Sequence, residues 1–358
     1  MKYKFAIISF LLLLLSFTVS SQPLNNDSTQ DEHELTLYIM PTLLPLDWVS
    51  PGSLYKSTLS CYLKTMLVSD NYLLGHVAVQ LKSSLLNKPL LTAQTSCGME
   101  QKRQLVLKEK IGLGILGAVL QGRMEPSDEV KNKLKVYAQR EKLTFIRFKL
   151  KEKAARRILD FIKMYSSRMG NNHSQSDYYG GSFWPRYQNE GSGCSAFGIA
   201  MLNLGGINLP AFNDWKVTVN IPMELIGGAY NGGKKVKSSH IKKTKKWHDG
   251  TGQPNVDFVK YEVYDPSIMF SWVKSRMKEK QSDYTIVQEN GVEGLYMDAT
   301  NVDYDENEPI FSINKEPDLF VSTHLQKHNT SSTPIITQDL SRKMIFPDSL
   351  TLESVSWK

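Results

Sequence analysis

Apolar positions along the chain follow two periods, 2 and 3.6, in no strict alternation. HELTLYIM alternates and is rich in β-formers, which predicts a strand over 34–40. Three prolines follow (Pro41, Pro45, Pro51), and then LYKSTLSCYLKTMLV has helical spacing over 54–68. GHVAVQL predicts a strand over 75–81, KSSLLNKP a hairpin connection, and LLTAQTS an antiparallel return over 90–96. IGLGILGAVLQG, 111–122, reads as a buried loop or short helix, or else as a site wall or lipid-facing flap. A charged helix over 126–140, a strand over 142–150 and a strongly amphipathic helix over 151–168 come next. A small-residue apolar helix over 195–204 is stopped by Gly205 and Gly206. Beyond it, WKVTVNIP and 256–266 read as strands, SIMFSWVKSRM as a helix, and 284–300 as a hairpin turning at Asn290-Gly291. Nothing repeats internally. Strands and helices mixed in this way give an α+β fold class.

The two ends differ from this body. Lys2 and Lys4 precede AIISFLLLLLSFTVSS, and Ser20 and Ser21 precede Gln22. That layout predicts a secretory signal peptide over 1–21, with an uncleaved anchor as the alternative. The protein is then exported, periplasmic or secreted, and in the anchored case membrane-associated. Residues 22–33 are polar and read as a disordered linker. The tail after 301 is acidic, then polar. At 41% apolar and 22% charged, with a mean hydropathy of −0.32, the chain of 358 residues is neither disordered nor polytopic.

The net charge of +7 is concentrated in KKVKSSHIKKTKKWH, 234–248, between two turn signals. It reads as a solvated loop, or as a patch for an anionic partner such as lipid headgroups or cell-wall polymer. Aromatic residues are not interleaved through it, so nucleic acid is not a partner. Cys61 and Cys97 form a candidate disulfide, leaving Cys194 as the odd thiol; three reduced thiols are the alternative.

Cys194 carries the most chemistry. It follows Gly191-Ser192-Gly193 and opens an apolar helix. The positive end of the helix dipole stabilises a thiolate, and the first turn offers N–H groups to an oxyanion. A base is needed, and of seven histidines only His76 opens a regular strand. On the return strand, Thr92 and Gln94 share a face and could orient the imidazole. His240 or His248 supplies the base in an unpermuted arrangement. Trp184 and Tyr187 are candidate cleft-lining residues and Ser195 a substrate contact, while Glu190 either perturbs the thiol or faces solvent.

GHVAVQL, the return strand, a long helix and then GCSAFGIAML resemble the papain-like superfamily in its circularly permuted branch. That branch holds the relatives of NlpC-type cell-wall peptidases, including the YiiX-like and lecithin:retinol acyltransferase-like groups. The resemblance covers residues 34–210. It implies a papain-like core with an antiparallel sheet packed on helices, His76 as base and Cys194 as nucleophile. The third polar residue falls at Thr92 or Gln94. It implies acyl chemistry on amides or esters of cell-envelope peptides or lipids, with residues 211–358 as a family-specific extension. No metal or organic cofactor is required. A different class of protein, a non-catalytic envelope component binding anionic polymer or lipid through 234–248, is the alternative.

Three weaker patterns are set aside. IGLGILG lacks a strand–turn–helix setting for a dinucleotide. His324 and His328 stand four apart in a polar segment and read as surface. Asp303, Asp305 and Asn307 begin like a calcium loop, but Glu308 and Asn314 occupy the positions of its glycine and closing glutamate, so this is a solvated acidic turn.

Overall fold

The computed structural model describes residues 32–67, 75–168, 173–279 and 283–329. The expected signal peptide and all but the last two residues of the linker lie outside them. The described residues belong to one compact unit. No helix among the described residues is long and apolar enough to cross a membrane.

The fold is α+β. Strands β1 (His33–Met40), β2 (His76–Ser83) and β3 (Leu90–Thr92) follow in chain order, with helix α1 (Pro51–Leu67) between the first two. After Ala93 the chain continues as β4 (Gln94–Ser96), α2 (Glu100–Arg103) and β5 (Leu120–Met124). Helix α3 (Ser127–Gln139), β6 (Thr144–Lys149), α4 (Glu152–Ser166), β7 (Tyr178–Tyr179) and α5 (Cys194–Leu204) complete the first part. Beyond residue 210 come α6 (Ala211–Asp214), β8 (Lys216–Pro222), α7 (Ser238–Lys243), β9 (Phe258–Tyr264), α8 (Pro266–Arg276), β10 (Thr285–Glu289), β11 (Val292–Asp298) and α9 (Leu319–Asn329).

The main sheet has the order β10-β11-β6-β1-β2-β3. Strand β1 pairs antiparallel with β2 and β6, but β11 joins β6 in parallel, so the sheet is mixed rather than antiparallel throughout. Helices bury both faces, and β1 accordingly reads as nearly all apolar after Thr36. Leu35, Leu37 and Ile39 meet Val77, Val79, Ile146 and Phe148 on one face, under Ile158, Phe161 and Ile162 of α4 and Phe197 of α5. Tyr38, Met40, Ala78 and Phe145 face the other way, onto Val130, Leu134 and Tyr137 of α3.

Four sequence expectations change. His33 is a buried member of β1, its Nδ1 2.7 Å from the Ser83 hydroxyl, rather than the end of a linker. The return strand over 90–96 switches sheets at Ala93: Leu90–Thr92 stays on β2, while Gln94–Ser96 pairs with β5. The stretch 111–122 does hold a short, partly buried helical turn at Leu113–Leu116, but its last residues enter strand β5. A boundary at 210 does not divide the fold, because β10 and β11 complete the main sheet and Leu295 is fully buried. The last change generates a prediction. A chain ended after residue 210 leaves β6 without its neighbour and uncovers its apolar edge. It should lose near-UV circular dichroism and a cooperative thermal transition; a sharp transition in that fragment would show that the first part is autonomous.

Candidate active site

Strand β2 starts immediately after Gly75 and places His76 on the same face as Ala78, toward α3. Helix α5 crosses the opposite face, where Gly198 lies close over Val77, Val79 and Leu37. The N-terminus of α5 is thereby brought to the first residues of β2, and Cys194, its first residue, meets His76. The two expected partners stand close enough that each shifts the pKa of the other. Each is only 7% exposed.

The third member is neither Thr92 nor Gln94. His76 Nε2 lies 2.7 Å from Glu125 Oε2, which leaves Nδ1 for the sulfur. Glu125 follows β5 and precedes Pro126, and its other carboxylate oxygen accepts from Lys133 of α3. Thr92 acts one bond further out: its hydroxyl donates to the Glu125 carbonyl at 2.9 Å, and the Glu125 N–H donates to Ala93 O at 2.7 Å. Gln94 Nε2 donates to the carbonyls of Ser176 (2.8 Å) and Tyr178 (3.3 Å), bracing β7. From β7, Tyr179 comes within electrostatic range of Cys194: burial first and the thiolate second raise its phenol well above the ordinary value. The loop before Cys194 runs so close to β7 that a Cβ on Gly191 would stand 1.8 Å from the Tyr178 carbonyl oxygen, so only glycine fits there.

The electrostatics favour an ion pair. Burial pushes the Cys194 thiol up, but the His76 charge, its hydrogen bond and the Val77 N–H outweigh that and lower it to about 7. Burial pushes His76 down, but the Cys194 thiolate and the Glu125 carboxylate raise it to about 9. Glu125, despite burial, is held at about 2 by His76 and Lys133. Between about 7 and about 9 the pair is therefore thiolate and imidazolium, the two values belonging to the pair jointly. Lys102 of α2 also feels the thiolate: burial lowers its pKa and attraction to Cys194 opposes this.

Other expectations resolve differently. Ser195 is buried, with Oγ 4.0 Å from the sulfur. Trp184 packs on the main core, 6.5 Å from the Tyr264 ring, and Tyr187 is tied by its N–H to the Trp184 carbonyl; neither joins the thiol. Glu190 neither perturbs the thiol nor meets solvent. It is fully buried, accepting from Trp184 N (3.1 Å) and Asn314 Nδ2 (2.8 Å). His248 stacks on Phe258 at 4.8 Å and His240 lies 3.5 Å from Glu224, so the unpermuted arrangement is not formed. His324 is buried, with Nε2 3.1 Å from the Asn189 carbonyl, rather than at the surface. The expected Cys61–Cys97 bridge is not made: Cys61 is buried within α1, and the Cys97 thiol instead donates to the Gly122 carbonyl at 3.4 Å. Among the described residues no cluster of His, Cys, Asp or Glu is arranged to hold a metal ion.

Lys133 and Tyr179 carry no sequence signal of their own. Glu125 has a weak one: a carboxylate just before a helix-opening proline, where the backbone is held extended. A cleft of about 590 Å³ lies beyond the β5–β7 pairing, lined in part by Leu120, Tyr178 and Gln101; Cys194 and His76 do not line it. Comparison of the chain with protein-family models, curated proteins and solved structures finds no match.

Two outcomes are expected from these electrostatics. Glu125→Gln removes a charge that raises His76, so the imidazolium weakens and the thiol rises. Alkylation of Cys194 by iodoacetamide should move its acidic limb upward, slowing roughly tenfold near neutral pH; an unmoved limb would show that Glu125 does not set the pair. Glu190 behaves in the opposite sense to an ordinary paired carboxylate. Burial raises it from 4.5 to about 7, opposed by its bonds to Asn314 and Trp184. Its contribution to stability is thus fully present below its unfolded value and is lost as pH rises through about 7. Glu190→Gln should flatten that decline, which is worth about 3 kcal/mol, in urea titrations across the interval; a slope identical to wild type would contradict it.

Proposed function

We propose that this protein is a cysteine-dependent hydrolase or acyltransferase acting on amide or ester bonds through a thioester acyl-enzyme. The observation that carries the reading is the contact of a helix-N-terminal Cys194 with a strand-borne His76 that Glu125 orients. The order His, acid, Cys along the chain agrees with a papain-like core in its permuted form. Export and the implied cell-envelope peptides or lipids supply the substrate class.

The chemistry follows from the groups present. The thiolate attacks the carbonyl carbon, and the carbonyl π electrons move to oxygen. The N–H groups at the start of α5 are the donors for that oxyanion, and the Tyr179 hydroxyl is the second donor we assign to it. His76, already protonated, gives its proton to the leaving amine or alkoxide as the C–N or C–O bond breaks, leaving a thioester. It then takes a proton from water, or from an acceptor amine or alcohol, whose attack releases the acyl group and restores the ion pair. Glu125 holds the imidazole and compensates its charge throughout. Lys102 lies within electrostatic range of the thiolate and favours its charged form.

A reading without catalysis keeps the fold and binds anionic polymer or lipid through 234–248; the exposed lysines of that segment favour it. A thiol-reactive acyl probe separates the two. Wild type should label at Cys194 in a pH-dependent manner. Cys194→Ser should not label, and Tyr179→Phe should fold normally and acylate roughly tenfold or more slowly. Wild type that fails to label at Cys194, with alkylation of the same thiol intact, would overturn the enzyme reading.

A further inference from the structure

Helix α1 has two apolar faces where a packed helix needs one. Its core face is Leu54, Cys61 and Thr65. A second row, Gly52, Tyr55, Leu59, Tyr62 and Met66, keeps the three-to-four-residue spacing of one helix face, and Leu63 and Leu67 flank it.

The row begins under α7. The Gly52 N–H donates to the Thr244 carbonyl at 3.0 Å, and a Cβ on Gly52 would stand 2.7 Å from the Lys242 carbonyl oxygen. The Lys242 ammonium lies 5.2 Å from the centre of the Tyr55 ring. Past Tyr55 the row emerges uncovered. Leu59 and Tyr62 are 39% exposed, Leu63 52%, Met66 62% and Leu67 85%. Isolated exposed apolar residues are ordinary, but several on one face mark an interaction surface.

The charge beside it is equally uncompensated. Lys234, Lys235, Lys237, Lys242, Lys243, Lys245 and Lys246 are exposed, and among the described residues none is ion-paired with a carboxylate. Trp247 Nε1 donates to the Trp48 carbonyl at 2.7 Å, fixing this segment to the start of α1. Apolar row and lysines therefore belong to one rigid surface.

Each half alone would fit several occupants. A soluble polyanion satisfies the lysines and leaves the apolar row in water. A second copy covers the row but sets lysine against lysine across a two-fold axis. An anionic bilayer satisfies both, taking the aliphatic side chains below the headgroups and the ammonium groups at the phosphates. We infer that the α1–α7 surface docks on an anionic phospholipid bilayer, independently of the chemistry at Cys194.

The test is partition of the full chain onto vesicles of phosphatidylcholine alone and of phosphatidylcholine mixed with phosphatidylglycerol. Residues 1–21 are common to every arm, so differences between variants report on this surface. Wild type should bind the mixed vesicles, less as salt is added, and bind the neutral ones far more weakly. Replacing Lys242, Lys243, Lys245 and Lys246 by Gln should lower partition roughly 100-fold or more. Leu63→Ser with Met66→Ser and Leu67→Ser should do likewise, yet leave binding to soluble polyphosphate unchanged. These positions are exposed, and circular dichroism should show both variants folded. Serine variants that bind mixed vesicles like wild type would reduce the surface to a polyanion site. A wild-type dimer that the same substitutions dissociate would assign it to a second copy. Either result overturns the inference.

Discussion

Four charges of alternating sign share one poorly solvated place: the Cys194 thiolate, the His76 imidazolium, the Glu125 carboxylate and the Lys133 ammonium. A single charge at such burial costs several kcal/mol, and removing one member of a pair strands the other. The row holds because each group neutralises the next and the sum is zero. This constraint explains why the thiol is acidic although burial opposes its ionisation, and why His76 is basic although burial opposes its protonation. Remove Glu125 and the chain ends on an uncompensated cation.

The fold serves that row by bringing three separate segments to one corner of the sheet. Strand β2 supplies His76 and the Val77 N–H, the end of β5 supplies Glu125, and α5 supplies Cys194 with the positive end of its dipole. The sheet switch at Ala93 matters here. By leaving the main sheet, the chain frees the Ala93 carbonyl to receive the Glu125 N–H, while Thr92 secures the Glu125 carbonyl. Gln94 ties the next strand to β7, and β7 in turn carries Tyr179 and crowds Gly191. Positions that look like second-rank polar residues are the struts of the site.

Much of this is legible in the residue pattern alone. Periodicity locates β1, β2, β6, α4 and α5 because both faces of the sheet are buried and α4 is amphipathic, so pattern and packing agree. The Gly-Cys helix start and the strand-borne histidine are visible because each needs a recognisable local setting. Glu125 is hidden, since little that is local distinguishes a buried carboxylate from an exposed one; its partners come from β2 and α3. The same reason hides β5 and β7, which are short and make sense only against each other, and His324, whose polar neighbours conceal its burial against Tyr178 and Phe183. The basic segment, expected as a solvated loop, contains α7, because its buried apolar residues, Val236 and Ile241, with Trp247 packed beside them, are enough to seat a short helix on the β8–β9 layer.

The central claim is that Cys194 and His76 exist as an ion pair at neutral to mildly alkaline pH. Thiolate absorbance near 240 nm, taken as the difference between wild type and Cys194→Ser across a pH titration, measures it directly. The account predicts one thiolate appearing with a midpoint near 7, well below the ordinary 9.0, and a midpoint shifted upward in His76→Ala. A difference spectrum that stays flat until the ordinary value, unaffected by the histidine, would contradict it.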